Sequence, residues 1–369
     1  MTKATIVAGY PWFTDWGRDT FIAMRGLCLT TGRIDDARAI LLRWASAVDD
    51  GLLPNRYPDK GERPDDNAVD ASLWFVVAVH DLLAATKLPA GERARLAAAV
   101  TAIVSGYERS TRHGIGMDTT DALLRAGVEG LQLTWMDAKI GTHVVTPRIG
   151  KPVEVQALWV NALRIAGELA GPGDVRTRWT ALADRATASF RKRFTGGVDG
   201  GLVDVVDDDG VLGAVDRSVR GNQVLAVGGL PFALVDGDVA RRVVDVVERR
   251  LWTPLGLRSL DPADPRYVGR YDGDPGTRDR AYHMGTAWGW QLGPFVDAWR
   301  RVHGDSASTR ATARERFLAP LLAHAATHGG HLPEIADGDL PQSPRGCPFQ
   351  AWSVGEALRI QAWLREPSN

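Results

Sequence analysis

The chain has 369 residues, of which 44% are hydrophobic and 24% charged, so it can bury the core of one large domain or two ordinary ones. Its apolar runs stop well short of the roughly 18 residues that cross a bilayer. The 44 basic and 45 acidic side chains create no general field for nucleic acid or an anionic membrane surface, so a neutral ligand is favoured.

Cysteine and tryptophan usage add two expectations. Cys28 and Cys347 cannot make a disulfide framework, and the first residues lack the basic region and apolar run of a secretory signal, so we expect a cytoplasmic location. The 13 Trp outnumber the 6 Tyr and the 9 Phe. A Trp face can stack in a core or on the apolar face of a sugar, and core packing is expected to account for about half of them.

Apolar residues recur at helical spacing along most of the chain, whereas strand signals are few. The periodicity predicts helices at 18–31, 34–49, 69–86, 90–112, 152–171, 173–194, 220–230, 237–251, 281–303, 306–328 and 348–365. Between residues 200 and 216, two Val-rich runs flank an Asp-Gly turn, which predicts a small β-hairpin. No linker divides the chain, so we predict one all-α domain over residues 1–369.

The predicted helices alternate in character. Even members such as 90–110 are charged along one side, as outer helices are, whereas odd members such as 70–85 and 154–170 are more apolar all round. One sixth of the chain, about 61 residues, is the length of two helices with their loops. We therefore predict six helical hairpins in an (α/α)6 barrel, with eleven of its twelve helices assigned.

An unusual polar and aromatic segment precedes or opens each inner helix. These segments are WFTDWGRDT, ERPDDNAVDASLW, TWMDAKIG, RSVRGNQ, RDRAYHMGTAW and LPEIADGD. If the N-termini of the inner helices converge, the segments meet at one mouth and can form a carboxylate-lined aromatic pocket. Each segment on its own also fits a helix cap, since Asp and Asn favour helix starts.

Two carboxyl groups at this mouth have apolar neighbours. Asp137 follows Trp-Met, and Glu334 lies between Pro and Ile. Apolar surroundings raise a carboxyl pKa, and glycoside hydrolysis needs one carboxylic acid plus a second carboxylate as nucleophile or general base. Arg18 and Asp19 offer a donor fork beside an acceptor, which suits paired hydroxyls as well as a buried ion pair.

Other constellations are weaker. His324, His328 and His331 have ligand-like spacing, but no Cys or carboxylate completes the set. The acidic run 204–210 lacks the alternating oxygens and terminal Glu of a calcium loop. The sequence contains no phosphate-binding loop, dinucleotide fingerprint or Gly-x-Ser-x-Gly elbow. We therefore expect neither a metal nor a cofactor.

Five longer segments resemble the C-terminal glucosidase domain of glycogen debranching enzymes. They are AGYPWFTDWGRDTFIA, NRYPDKGE with NAVDASLWF, TWMDAKIGTHVVTPRIGKPVEVQALWVNAL, RDRAYHMGTAWGWQLGPF and LPEIADGDLPQSPRGCPFQAWSVGEALR. The resemblance spans about residues 8–365 and implies an (α/α)6 barrel related to glucoamylases. It also implies an inverting amylo-α-1,6-glucosidase, which releases the single glucose left at a branch point of glycogen or limit dextrin.

Carried over position by position, the resemblance implies that Asp137 is the general acid and Glu334 the general base. It puts Arg18 and Asp19 on the outer hydroxyls of the terminal glucose. The same subsite is expected to be lined by Trp16, Trp135, His283 and Trp288. Two positions depart from the family pattern, because Met284 and Gly289 stand where Gln and Pro are expected.

Other departures leave alternatives open. Residues 64–67 read Pro-Asp-Asp-Asn where an aromatic residue is expected, and the N-terminal domain usual in the family is expected to be absent. A catalytically weak α-glucan-binding remnant and a glucoamylase-like exo-α-glucosidase with α-1,4 preference are the alternative functions. An α-barrel terpene cyclase would need an Asp-rich motif facing an apolar pocket, whereas the Asp runs at 65–66 and 207–209 lie in hydrophilic contexts.

Overall fold

The computed structural model describes residues 4–57 and 64–365, so the segment predicted at 62–74 begins outside the described residues. The α-helices are α1 (Gly17–Met24), α2 (Ile34–Ala45), α3 (Ala71–Ala85), α4 (Ala90–Arg109), α5 (Val153–Ala170), α6 (Asp174–Phe194), α7 (Gly237–Arg250), α8 (Pro275–Ala281), α9 (Leu292–His303), α10 (Ala307–Ala313), α11 (Ala319–Thr327) and α12 (Ala351–Trp363). Two π-helical stretches extend this set: Arg25–Thr30 continues α1, and Arg314–Leu318 joins α10 to α11. Among the described residues, no helix is both long enough and apolar enough to cross a membrane.

Short 3-10 helices and strands connect these helices. The 3-10 helices are Val198–Gly200, Asp208–Gly210, Gly221–Ala226 and Gly289–Gln291. The strands are β1 (Gly9–Tyr10), β2 (Asp15–Trp16), β3 (Arg56–Tyr57), β4 (Gly116–Met117), β5 (Leu124–Arg125), β6 (Lys139–Ile140), β7 (His143–Val144), β8 (Lys151–Pro152), β9 (Val205–Val206), β10 (Val215–Asp216), β11 (Trp252–Thr253), β12 (Gly256–Arg258), β13 (Ala287–Trp288), β14 (Ile335–Ala336), β15 (Pro344–Arg345) and β16 (Phe349–Gln350). All pairings between them are antiparallel, and β11 to β15 form one five-stranded sheet in sequence order.

Six helical segments form a closed inner ring. They are α1, α3, α5, the 3-10 helix Gly221–Ala226, α9 and α12. Each contacts the next along the chain, and α12 returns to contact α1. Helices α2, α4, α6, α7 and the α10–α11 unit follow the first five inner segments as their outer partners. This confirms the predicted (α/α)6 architecture.

The predicted helices agree with the structure except in two places. The predicted helix 220–230 is only the short 3-10 helix Gly221–Ala226, because Gly229 turns the chain with a positive φ of 81°. The predicted helix 281–303 begins instead at the 3-10 turn Gly289–Gln291, since the preceding residues pair as strand β13. The predicted hairpin in 200–216 is present as β9 paired with β10, and β8 extends it to three strands.

The inner helices begin at the same end of the barrel. The residues immediately before them are Trp16, Asp70, Pro152, Arg220, Trp288 and Gln350, with Trp288 preceding the 3-10 turn that leads into α9. Four of these lie in the segments that the sequence assigned to a common mouth, and their convergence places polar and aromatic side chains around the barrel axis.

Two glycines close the inner ring. A Cβ on Gly26 would lie 1.8 Å from the backbone oxygen of Gly355, and a Cβ on Gly355 would lie 2.7 Å from the backbone oxygen of Ala23. The backbones of α12 and the end of α1 can therefore approach this closely only without side chains. Neither backbone can yield without moving its helix.

We expect Gly26→Ala to destabilise the fold by about 3 kcal/mol, because the added methyl overpacks a backbone contact. Urea unfolding followed by circular dichroism measures the change. The matched control is Gly91→Ala, since a Cβ at Gly91 in the first turn of α4 meets nothing within 4 Å. That control is expected to be neutral or to stabilise the helix by up to about 1 kcal/mol. Equal stability of the two variants would contradict closure by glycine contact.

Candidate active site

A pocket with about 450 Å³ of empty space opens at the mouth of the barrel. It is lined by Phe13, Trp16, Arg18, Asp19, Trp135, Asp137, Tyr282, Trp288, Glu334 and Trp352. The contributing segments are spread over the whole chain, from the loop before α1 to the start of α12. The pocket thus brings together both predicted catalytic carboxyl groups and five of the six predicted substrate-binding residues.

Arg18 lies at the centre of the polar contacts. Its Nε donates to both oxygens of Asp70 at 3.0 and 2.9 Å, and Nη2 donates to Asp70 Oδ1 at 2.8 Å. The remaining nitrogen Nη1 donates to Asp137 Oδ2 at 3.0 Å. Burial alone would lower the pKa of Arg18, but Asp70 and Asp137 raise it above its ordinary value. Arg18 is therefore a permanent cation whose partner is Asp70, not the neighbouring Asp19.

Glu334 is held from both sides of its carboxyl group. Its Oε1 accepts a hydrogen bond from the Tyr282 hydroxyl, and its Oε2 accepts one from the backbone N–H of Cys347 at 3.0 Å. Gly346 lies against the same carboxylate, because a Cβ there would come within 2.4 Å of Oε2. Burial raises the pKa of Glu334 to about 7, with these two hydrogen bonds opposing the rise and the charge of Asp137 adding to it.

Asp137 is the more accessible of the two carboxyl groups, with 27% of its side chain exposed. Its loop is tied down by the hydrogen bond from Thr146 Oγ1 to the Met136 carbonyl at 2.8 Å. Burial raises the pKa of Asp137 above its ordinary value, and the charge and hydrogen bond of Arg18 oppose that rise. The direction agrees with the sequence argument from apolar neighbours.

A third carboxyl group, Asp19, belongs to the same pocket. Its Oδ1 accepts a hydrogen bond from Gln350 Nε2 at 3.2 Å. Burial raises the pKa of Asp19 to about 8. The charge of Arg18 opposes this rise, whereas the charges of Glu334 and Asp137 add to it. Three carboxyl groups and one guanidinium in a small volume favour states in which some carboxyls keep their protons.

Aromatic rings form the walls. Trp135 makes edge contacts with His283, Trp288 and Trp290 at centroid distances of 5.3, 5.0 and 5.2 Å. His283 is fully buried and stacks on Trp288, so it supports the wall from behind and does not line the pocket. Burial lowers the pKa of His283 well below its ordinary value, and the ring is neutral.

Other tryptophans of the chain lie in the core or on the surface. Trp74 and Trp159 are core residues, and Trp12 is 63% exposed outside the pocket. Trp352, which no site prediction included, lines the pocket and stacks on Trp290 at 5.5 Å. The many Trp residues therefore serve the core and the pocket, as expected, but the pocket also includes Trp352, which was not predicted.

A buried polar chain holds Trp135 in place. Trp135 Nε1 donates to Asn222 Oδ1 at 2.8 Å, and Asn222 Nδ2 donates to Asp204 Oδ1 at 2.9 Å. Asp204 in turn accepts from Nε and Nη2 of Arg148 at 2.8 and 3.0 Å, and Arg148 is also paired with Glu154. All of these polar groups are buried, so the network fixes the indole beside Asp137.

Sequence reasoning missed several of these residues. Tyr282 and Asp70 both lie in the polar and aromatic segments that precede inner helices, and a hydroxyl or carboxylate in such a segment was the available signal. Asp66 lies in segment 64–67, which departs from the family pattern, and its carboxylate pairs with Arg112 and His113. None of residues 64–67 lines the pocket. The sulfur of Met284 accepts a hydrogen bond from Arg220 at 3.6 Å.

The side chains that could bind a metal ion already have other partners. Within residues 4–57 and 64–365, one group of carboxylates lies close enough to share an ion: Asp118, Asp121 and Asp207. Lys151 Nζ contacts all three at 2.9, 2.8 and 2.9 Å, and the Arg193 guanidinium also pairs with Asp121 and Asp207, so two cations already pair with these carboxylates. His324 and His328 stack on each other, whereas His331 packs on Phe349.

Comparison with known proteins adds a family and a fold. A family model described as amylo-alpha-1,6-glucosidase matches residues 1–359. The glycogen debranching enzyme of Saccharomyces cerevisiae is 27% identical over 390 residues, which cover 81% of this chain and 25% of the yeast protein. The chain thus spans about a quarter of the length of that relative.

Solved structures from Thermus thermophilus share the fold. The GH63 mannosylglycerate hydrolase in complex with Tris has a TM-score of 0.66 at 15% identity, covering 99% of this chain and 97% of that one. The same hydrolase in complex with glucose has a TM-score of 0.62 at 16% identity, with 97% and 96% covered. An uncharacterized conserved protein reaches 0.63 at 17% identity, with 97% and 96% covered.

The raised pKa of Glu334 predicts a pH-dependent cost to stability. In the folded chain the pKa of Glu334 is about 7, above the ordinary value of 4.5 that applies to the unfolded chain. Between these two pH values the folded chain binds more protons than the unfolded chain, so its stability falls as the pH rises from 4.5 to about 7. Glu334→Gln removes the charge, and we expect it to raise the free energy of unfolding at pH 8 by about 1–3 kcal/mol, with no gain at pH 4.

Thermal and urea unfolding at both pH values measure this difference. The control is Glu129→Gln, whose side chain is exposed to solvent. A Glu334→Gln variant that is less stable than wild type at pH 8 would show that the ionised carboxylate is favourably solvated in its pocket.

Proposed function

Because this chain belongs to the amylo-alpha-1,6-glucosidase family of glycoside hydrolases, we propose that it releases terminal glucose from the α-1,6 branch points of glycogen or limit dextrin, with inversion of configuration. The observation that carries this proposal is the meeting of Asp137 and Glu334 in one Trp-walled pocket. A branched α-glucan is the proposed partner, and the cytoplasm is the proposed compartment.

The proposed reaction assigns one proton transfer to each carboxyl group. Asp137 donates its proton to the glycosidic oxygen as the bond to the anomeric carbon breaks. A water molecule attacks that carbon from the opposite face, and Glu334 accepts the proton that the water loses. The products are glucose and the shortened glucan, and the proton on Glu334 returns to Asp137 through solvent.

The surroundings of each carboxyl group suit its proposed role. As Asp137 gives up its proton, the carboxylate that forms is stabilised by the Arg18 guanidinium at 3.0 Å. A general base works best with a pKa near the operating pH, and burial raises the pKa of Glu334 to about 7. The hydrogen bonds from Tyr282 and Cys347 take one lone-pair direction on each oxygen and orient the carboxylate.

The pocket walls support a neutral sugar as substrate. Trp16, Trp135, Trp288 and Trp352 offer flat apolar faces and edges, while Asp19 offers a hydrogen-bonding carboxyl group. The single guanidinium is already shared between two carboxylates, so an anionic substrate would gain little from it.

We expect Asp137→Asn and Glu334→Gln each to reduce glucose release from limit dextrin by about 10³-fold or more, as loss of acid or base catalysis does. α-Glucosyl fluoride separates the two roles, because fluoride leaves without protonation. Asp137→Asn is expected to keep activity on the fluoride within about tenfold of wild type, whereas Glu334→Gln loses it. Glu129→Gln is the control on both substrates.

The outcomes distinguish the alternatives. Equal loss of fluoride hydrolysis in both variants would contradict the assignment of acid and base. Binding of limit dextrin by the wild-type chain without glucose release would favour a glucan-binding remnant. Faster release of glucose from maltose than from limit dextrin would favour an α-1,4 exo-glucosidase.

A further inference from the structure

The exposed aromatic side chains of this protein lie together. All of its Trp, Tyr and Phe residues fall within the described residues, and only three are exposed: Tyr10 at 68%, Trp12 at 63% and Phe349 at 38%. The Tyr10 and Phe349 rings face each other with centroids 6.3 Å apart. Burying such rings is favourable, so an exposed cluster of them marks a binding surface. We call Tyr10, Trp12 and Phe349 the aromatic rim.

The backbone beneath the aromatic rim is held by hydrogen bonds and strand pairing. Residues 8–14 form a closed turn, in which the Ala8 N–H donates to the Thr14 carbonyl at 2.9 Å and the Phe13 N–H donates to the Gly9 carbonyl at 2.8 Å. Strand β1 pairs with β16, which places Tyr10 directly opposite Phe349. The imidazole of His331 packs on Phe349 at 4.4 Å. A surface that is ordered before binding loses little conformational entropy when a ligand arrives.

The aromatic rim is continuous with the candidate active site. The thiol of Cys347 donates to the Tyr10 carbonyl at 3.1 Å, and the backbone N–H of the same cysteine donates to Glu334. Phe13, the next residue after Trp12, lines the pocket and contacts the Trp16 ring at 6.2 Å. A ligand that fills the pocket and extends out of it on this side would pass over the aromatic rim.

The chemistry of the aromatic rim selects a neutral ligand with flat apolar faces. Residues 8–14 read AGYPWFT, and Pro348 precedes Phe349, so no charged side chain lies in either segment. Glucose units present such faces, and aromatic rings can stack on them. Because these rings lie outside the pocket, they would contact units other than the one being cleaved.

We propose that Tyr10, Trp12 and Phe349 form a binding platform for the α-glucan chain beyond the terminal glucose, resting on the proposed function of the pocket. The platform makes polymeric substrates bind more tightly than single glucosides. It does so without contacting the scissile bond.

The double variant Tyr10→Ala/Trp12→Ala tests the platform. We expect the ratio of kcat/KM on limit dextrin to kcat/KM on α-glucosyl fluoride to fall about tenfold, mainly through KM on the dextrin, as the loss of two stacking contacts predicts. The control is Leu212→Ala, which removes an 86% exposed apolar side chain from the turn between β9 and β10. That control is expected to keep the wild-type ratio.

Affinity electrophoresis in gels containing limit dextrin tests binding independently of hydrolysis. We expect the dextrin to retard the wild-type chain and the control more strongly than the double variant. This result would support the platform even if the wild-type chain released no glucose. The absence of glucose release would overturn only the proposed function. An unchanged ratio together with unchanged retardation would overturn the platform. So would conversion of a wild-type dimer into a monomer without loss of dextrin affinity, since a second copy would then be the occupant.

Discussion

The buried guanidinium of Arg18 is the group on which the rest of the site depends. A cation with only 2% of its surface exposed must be paired, and removing one partner from such a pair typically costs about 3–5 kcal/mol. Asp70 supplies a bidentate partner, and the remaining nitrogen reaches Asp137. One residue therefore joins the starts of two inner helices to the loop that carries the proposed acid. The same charge moderates the pKa of Asp19 and Asp137.

The barrel makes this pairing possible. Inner helices that all begin at one end bring Trp16, Asp70 and Gln350 to the same mouth, although they are distant in sequence. Ring closure requires α12 to lie against the end of α1, which the glycine contact between Gly26 and Gly355 permits. The five-stranded sheet then sets Trp288 opposite Ile335 and so places Glu334 in the pocket. Fold and site depend on the same few contacts.

Much of this arrangement could be predicted from the sequence. Apolar periodicity identified most helices, because an inner or outer helix must bury a long apolar stripe. The short elements were not predicted correctly. Strands of two or three residues are too short to show a hydrophobic periodicity, and the sequence of the 3-10 helix Gly221–Ala226 resembles the start of a longer helix. The mouth motifs predicted that Asp137 and Glu334 meet at one end of the barrel, and both line the pocket. The partners of Arg18 and the burial of His283 could not be read, since both follow from packing between segments far apart in the chain.

Under the proposed function, water attacks the anomeric carbon on the face opposite the broken bond, between a proton donor and a proton acceptor. Proton NMR of glucose freshly released from limit dextrin tests this most directly, before the anomers equilibrate. We expect β-glucose to appear first, because inversion at an α-linkage yields the β-anomer. Initial release of α-glucose would contradict it and would require one of the two carboxylates to act as a nucleophile.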